Sequence, residues 1–78
     1  IVEPGNAEVL EFEVKADSVL VDRPIRESVT DLPAGVVVGA ITRNGRYIKP
    51  RGDTEVKQDD HVVLFVRDEA MSDVAEKV

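Results

Sequence analysis

The sequence predicts a small α+β domain of order β-α-β-β-β-α, with two helices packed on one face of a small mixed or antiparallel sheet. Three observations carry this expectation. Fifteen of the 78 residues are Val and none is Trp, and β-branched side chains suit pleated strands. Residues 10–16 alternate apolar with polar, whereas 36–41 and 61–66 are nearly continuous apolar runs of strand length. Asn44-Gly45 falls between two apolar stretches, and this dipeptide favours a tight hairpin because both residues accept positive φ.

Residues 1–7 contain Pro4, Gly5 and Asn6 and are read as an N-terminal linker to a domain spanning 8–78. The start Ile1-Val2-Glu3-Pro4, without Met, reads as a fragment of something longer or a processed product, and no targeting signal is read. Leu10, Phe12, Val14 and Ala16 then share one side of a strand, with Glu11, Glu13 and Lys15 on the other. Asp17 and Ser18 end it, and Val19-Leu20-Val21 reads as a short extended stretch. Asp22-Arg23-Pro24 reads as a helix start, with Asp22 placed to accept from free backbone N–H groups. Ile25, Val29 and Leu32 share one helical face, and Pro33 and Gly35 stop the helix.

The run Val36–Ile41 has the length of a strand buried on both faces. Tyr47-Ile48-Lys49 is its hairpin return, ended by Pro50. Turns are expected at 51–54 and 58–60, with Thr54-Glu55-Val56 as a brief extended link between them. His61–Val66 is the last strand. Asp68 and Glu69 open a final helix, where the macrodipole favours negative charge. Its apolar stripe is Met71, Val74, Ala75 and Val78, and Asp73 and Lys77 are spaced to pair.

Charge and composition exclude several function classes. The net charge is −6, so a polyanion such as nucleic acid is repelled on average. There is no Cys, hence no disulfide, thiol catalysis or Cys-based metal site. No apolar run approaches the roughly 20 residues that span a bilayer as a helix. His61 has no second His to share a metal and reads as a surface residue at a strand start. Asp59 and Asp60 read as turn formers, since Asp tolerates the left-handed region. Arg51-Gly52-Asp53 matches an adhesion tripeptide, but three residues match cheaply and a turn is the plainer reading. Gly35 and Gly39 do not make a dinucleotide fingerprint. Arg43, Arg46 and Arg51 surround the hairpin, where guanidinium groups could clamp a phosphate or carboxylate; ordinary surface charge is the competing reading. No nucleophile–base pair or phosphate loop emerges, so a binding module is expected rather than an enzyme.

The order of these motifs resembles a known family. Residues 19–27 (Val-Leu-Val-Asp-Arg-Pro-Ile-Arg-Glu), then 32–45 from Leu32-Pro33-Ala34-Gly35 through Ala40-Ile41-Thr42-Arg43-Asn44-Gly45, are similar to the TrkA C-terminal domain. It is also called the RCK C-terminal domain, for regulator of potassium conductance. Ile48–Thr54 and Asp59–Leu64 continue the resemblance, which covers roughly residues 8–78.

The resemblance implies a homodimerising regulatory domain that senses a small ligand and serves a cytoplasmic regulator of a membrane potassium channel or transporter. The net charge argues against a nucleic-acid partner, and the resemblance implies no cofactor in this chain; NAD or ATP would bind a Rossmann domain outside it. Val29, Asp31 and Val37 stand where relatives that bind cyclic di-AMP carry an Asp-x-Arg element and an Asn, so that ligand is disfavoured. Asp59 stands where the family usually has Gly. A ligand pocket would sit at the dimer seam, with Val37, Val38, Arg43 and Pro50 as its candidate residues. Two alternatives stay open: a purely structural dimerisation module, and an ion-sensing domain of another transporter. The Lys-poor acidic composition also fits a high-salt cytoplasm.

Overall fold

A computed structural model describes residues 7–78. The strands are β1 (Ala7–Glu13), β2 (Val37–Arg43), β3 (Arg46–Ile48) and β4 (His61–Arg67), and the helices are α1 (Ile25–Ser28) and α2 (Met71–Lys77). A 3₁₀ turn extends α1 over Val29–Asp31, and another, Asp68–Ala70, leads into α2. The chain order is β-α-β-β-β-α, as the sequence predicts. The four strands lie in the order β1-β4-β2-β3 with every neighbouring pair antiparallel. The expected linker at 1–7 lies outside the described residues except for Ala7, which already belongs to β1.

Alternation along β4 divides the sheet into two faces. Val62, Leu64 and Val66 are fully buried, while His61, Phe65 and Arg67 are exposed. Register carries the division to the neighbours: Leu10 and Phe12 of β1 lie opposite Leu64 and Val62, and Val38 and Ile41 of β2 do the same from the other side. This inner face packs with Ile25 and Leu32 around α1 and with Ala70 and Val74 around α2 in one core. Both helical segments therefore cover the same face. The outer face carries Val9, Phe65, Val37 and Tyr47, all exposed. The apolar run of β2 is thus not buried on both sides: Val37 is 57% exposed, because no described element lies over it.

Other sequence expectations shift locally. β1 starts and stops three residues early, although Val14 continues the ladder through bonds to Asp59 and Asp60. Val19 and Leu20 form a turn rather than an extended stretch. Asp22 does not cap α1. It adopts φ 59° and pairs with Lys57 instead, and Pro24 occupies the cap position with no side-chain cap bond. The start of α1 is held from outside: Ile25 N–H donates to the Thr54 carbonyl and Arg26 N–H to the Gly52 carbonyl. Ala75 is exposed, and Ala70 takes its expected place in the core. Lys77 donates to the Asp31 carbonyl rather than pairing with Asp73.

The hairpin forms where the sequence places it, with Asn44 at φ 52° and Gly45 at φ 77°. Gly39 has a different role. The register between β2 and β4 slips at this residue, so Gly39 and Ala40 both face Val63. A Cβ there would sit 2.4 Å from Cε2 of Phe65, so the Phe65 ring lies directly on the glycine. Gly39→Ala is expected to push that ring outward and cost about 1–2 kcal/mol, or roughly 4–16 °C in Tm at this length. In a Phe65→Val background the same substitution should cost less. Equal losses in both backgrounds, by thermal melts, would contradict this packing.

Candidate functional site

Two polar arrangements stand out on the folded chain. The first joins the end of β2 to the turn before β4. Lys57–Asp60 closes as a turn, with Asp59 in the left-handed region at φ 72°. That turn directs Asp60 inward, where it is 1% exposed. Arg43, the last residue of β2, meets it with two parallel bonds: Nε donates to Oδ1 and Nη2 to Oδ2, each at 2.8 Å. Nη2 also donates to the Glu55 carbonyl at 3.1 Å, and Lys57 N–H donates to Oδ2 at 2.9 Å. A fork of this kind suits Arg, because its planar guanidinium matches both carboxylate oxygens.

Burial alone would raise the Asp60 pKa. The Arg43 guanidinium and the Lys57 N–H outweigh it and hold the carboxyl below its ordinary value. The same pairing raises Arg43.

The second arrangement is an open groove of about 540 Å³ lined by Val19, Thr30, Asp31, Leu32, Pro33 and Lys77. The 3₁₀ turn after α1 supplies Thr30 and Asp31, and the end of α2 supplies Lys77. Arg23 Nη1 donates to Asp31 Oδ2 at 2.6 Å, and Arg23 also donates to the carbonyls of Val19 and Glu27. Lys77 Nζ donates to the Asp31 carbonyl at 3.2 Å, and Val19 N–H to the Lys77 carbonyl at 3.0 Å. The groove thus combines the apolar Val19, Leu32 and Pro33 with the Asp31 carboxylate, which pairs with Arg23 beside the groove, and with Lys77, which holds the Asp31 backbone carbonyl. It can hold a small ligand with an apolar part and mixed polar contacts.

The four residues singled out from sequence occupy separate places. Val37 stands on the outer sheet face and Val38 on the inner one. Arg43 lies at the far end of β2, about 20 Å from Val37 at about 3.3 Å per residue, and is committed to Asp60. Pro50 is half-buried after β3. None of the four lines the groove. Arg46 and Arg51 are exposed and do not join Arg43 at Asp60. Sequence reasoning missed Asp60 as an acceptor for Arg43, since 17 residues separate them. It also missed the meeting of Asp31 with Arg23 and Lys77, for which the sequence carries no spacing signal. His61 is a surface residue whose Nε2 lies 3.6 Å from Glu11. Among the described residues, no group of three or more His, Cys, Asp or Glu side chains could hold a metal ion. No described helix is long and apolar enough to cross a membrane.

The pairing has a pH signature. Asp60 ionises more readily in the folded chain than in the unfolded one. Its contribution is complete above the unfolded carboxylate value of about 3.9 and is lost as pH falls through the lower folded value. Asp60→Asn is expected to cost about 1–3 kcal/mol at pH 7, with one-third exposure of the Arg43 side chain keeping the loss moderate. The gap between wild type and variant should narrow below about pH 3.9 in denaturant titrations. A gap that stays constant to pH 2.5 would contradict the assignment.

The sequence-family model of the TrkA-C domain matches residues 9–78. The Trk system potassium uptake protein TrkA of Azorhizobium caulinodans is 46% identical over 61 residues, covering 78% of this chain and 13% of that protein. TrkA homolog 2 of Methanosarcina mazei is 33% identical over 70 residues, covering 90% of this chain and 15% of its relative. A TrkA homolog of Pyrococcus abyssi is 29% identical over 69 residues, or 87% of this chain and 30% of its relative. The chain thus spans less than a third of each of these relatives. The match runs from β1 through α2 and takes in both the Arg43–Asp60 pair and the groove, and this chain belongs to the TrkA-C domain family.

Proposed function

We propose that this domain is the ligand-sensing, homodimerising regulatory part of a Trk-type potassium uptake protein. It acts on the cytoplasmic side of a membrane potassium transporter and carries no catalysis of its own. The observation that carries this reading is the family match across the whole described fold, together with relatives named as Trk system potassium uptake proteins. The groove beside Asp31 supplies a place for a ligand within one chain. Val37 follows four residues after Pro33 of the groove. On this reading Val37 and Pro50 bear on a seam between two copies, while Val38 faces the core and Arg43 is committed to Asp60. NAD or ATP would bind outside this chain. The Asp31 carboxylate disfavours a phosphodiester such as cyclic di-AMP by like charge.

A ligand controls such a domain only through its different affinity for two arrangements of the dimer. The test is the melting temperature at fixed ionic strength against nucleotides, cyclic dinucleotides and mono- and divalent cations. A ligand at about 100 times its Kd adds about 2.7 kcal/mol, which moves the midpoint by roughly 10–20 °C at this length. The expected result is a saturable shift for one ligand class that Asp31→Ala or Lys77→Ala alters. No shift across the panel, with a dimer in solution, would contradict sensing and leave a structural dimerisation module.

A further inference from the structure

The chain has 10 Lys and Arg against 16 Asp and Glu, so acid is in excess and a cation has partners to choose from. Arg23, Arg43, Lys57 and Arg67 each sit in an ion pair, and Lys77 donates to the Asp31 carbonyl. The remaining cations make no side-chain bond or ion pair among the described residues. Lys15 stands by itself after β1. The others, Arg26, Arg46, Lys49 and Arg51, are all exposed and gather where the hairpin strand β3 runs on to the start of α1.

The backbone of this corner is fixed. Thr54 Oγ1 donates to the Lys49 carbonyl at 2.9 Å and accepts from the Arg51 N–H at 3.0 Å. Thr54 N–H donates to the Arg51 carbonyl at 3.1 Å. Arg26 N–H donates to the Gly52 carbonyl at 2.9 Å, and a Cβ on Gly52 would lie 3.6 Å from that of Arg26, so α1 holds Arg26 beside the turn. Arg46 stands directly opposite Arg43 across the hairpin, and like charges so placed destabilise a ladder. Asp60 answers the charge of Arg43, whereas Arg46 has no such acid among the described residues. Glu27 and Asp53 adjoin the corner but pair with none of its cations. With these two acids included, the corner is +2 in a chain of −6.

We infer that this corner docks an extended, acidic segment of a partner protein. Arg46, Lys49 and Arg51 follow one another over at most about 17 Å of chain, at about 3.3 Å per residue. An extended segment of about six residues matches that length, and its alternate side chains fall about 6.6 Å apart on one face. Carboxylates in that pattern meet the cations in turn. A flat anionic lipid surface would meet Glu27 and Asp53 as well, and a second copy brings a net −6 of its own against this chain's −6. A short acidic segment brings its charge to the cations alone. None of the four cations lines the groove, so the segment and a groove ligand occupy separate places. Exposed ion pairs are individually weak and are screened by salt, so the affinity is modest and falls as salt rises.

Fluorescence anisotropy of a labelled decaglutamate peptide, titrated with the 78-residue chain, tests this, and melts of each variant confirm that it folds. Saturable binding is expected at about 50 mM KCl, weakening at least about fivefold at about 300 mM. Arg51→Glu is expected to raise the Kd at least about fivefold. Lys15→Glu makes the same change in net charge away from the corner and should stay within about twofold of wild type, as should Asp31→Ala in the groove. Absence of binding with the chain at about 1 mM and low salt would overturn the site. Equal losses for Lys15→Glu and Arg51→Glu would overturn it too, since net charge alone would then account for binding. Tighter binding to phosphatidylglycerol vesicles than to the peptide would overturn the choice of a protein segment in favour of a membrane. Self-association in sedimentation that Arg51→Glu abolishes would overturn it in favour of a second copy.

Discussion

The fold depends on one buried carboxylate. Through its side chain, Asp60 takes two bonds from Arg43 and one from the Lys57 N–H; through its carbonyl it takes the Val14 N–H at 2.8 Å. One residue at the start of β4 therefore ties the end of β2 and the continuation of β1 to the strand between them. Arg43 reaches further, to the Glu55 carbonyl. Glu55 belongs to the segment that bridges to Pro24, and the same segment supplies the Thr54 and Gly52 carbonyls that hold the start of α1. A four-residue helix cannot nucleate itself in water. Here it is placed by a link that the Arg43–Asp60 pair fixes in turn. The desolvation cost of burying Asp60 is offset by three donors to its carboxylate, two of them from a charged guanidinium, which is why the acid tolerates 1% exposure.

A sheet fixed in this way is covered on one side. The core gathers Val62, Leu64, Val66 and Ile41 with residues of both helical segments, and the outer face is left with a band of Val and Phe. In a 78-residue domain the stability margin is thin, so an uncovered apolar band is costly unless something else uses it. The groove and the sheet face lie at different places on the molecule. Coupling between them requires a two-state element that both sites bias. The loop from Pro33 to Val36 is the shortest covalent route between them, since it joins the groove to Val37 at the corner of the sheet face.

The sequence made much of the scaffold legible. Period-two alternation located β1, the Asn44-Gly45 dipeptide located the hairpin, and the order of turn motifs gave the family. The errors have physical causes. A continuous apolar run at 36–41 looks doubly buried, but burial depends on how many layers the chain can build, and two short helical segments cover one face only. Asp22 has a capping residue type, yet its backbone takes φ 59° and its carboxylate goes to Lys57. Asp60 was read as a turn former beside Asp59. The local reading fits Asp59, whose φ of 72° marks the turn, but it could not see a partner 17 residues away. The groove was invisible for the same reason: Val19, Asp31 and Lys77 are brought together by the docking of α2, and no spacing in the chain announces it.

The central claim is that Arg43 and Asp60 act as a unit. A double-mutant cycle of Arg43→Ala, Asp60→Ala and the pair, read by urea unfolding at pH 7, tests it most directly. Removing Asp60 leaves Arg43 partly solvated, whereas removing Arg43 leaves a buried carboxylate with only the Lys57 N–H. The account expects Asp60→Ala and the double variant to be similarly unstable, with a coupling energy of about 1–3 kcal/mol. Additive losses, with coupling below about 0.5 kcal/mol, would show that the two side chains act independently and that something else holds β1, β2 and β4 together.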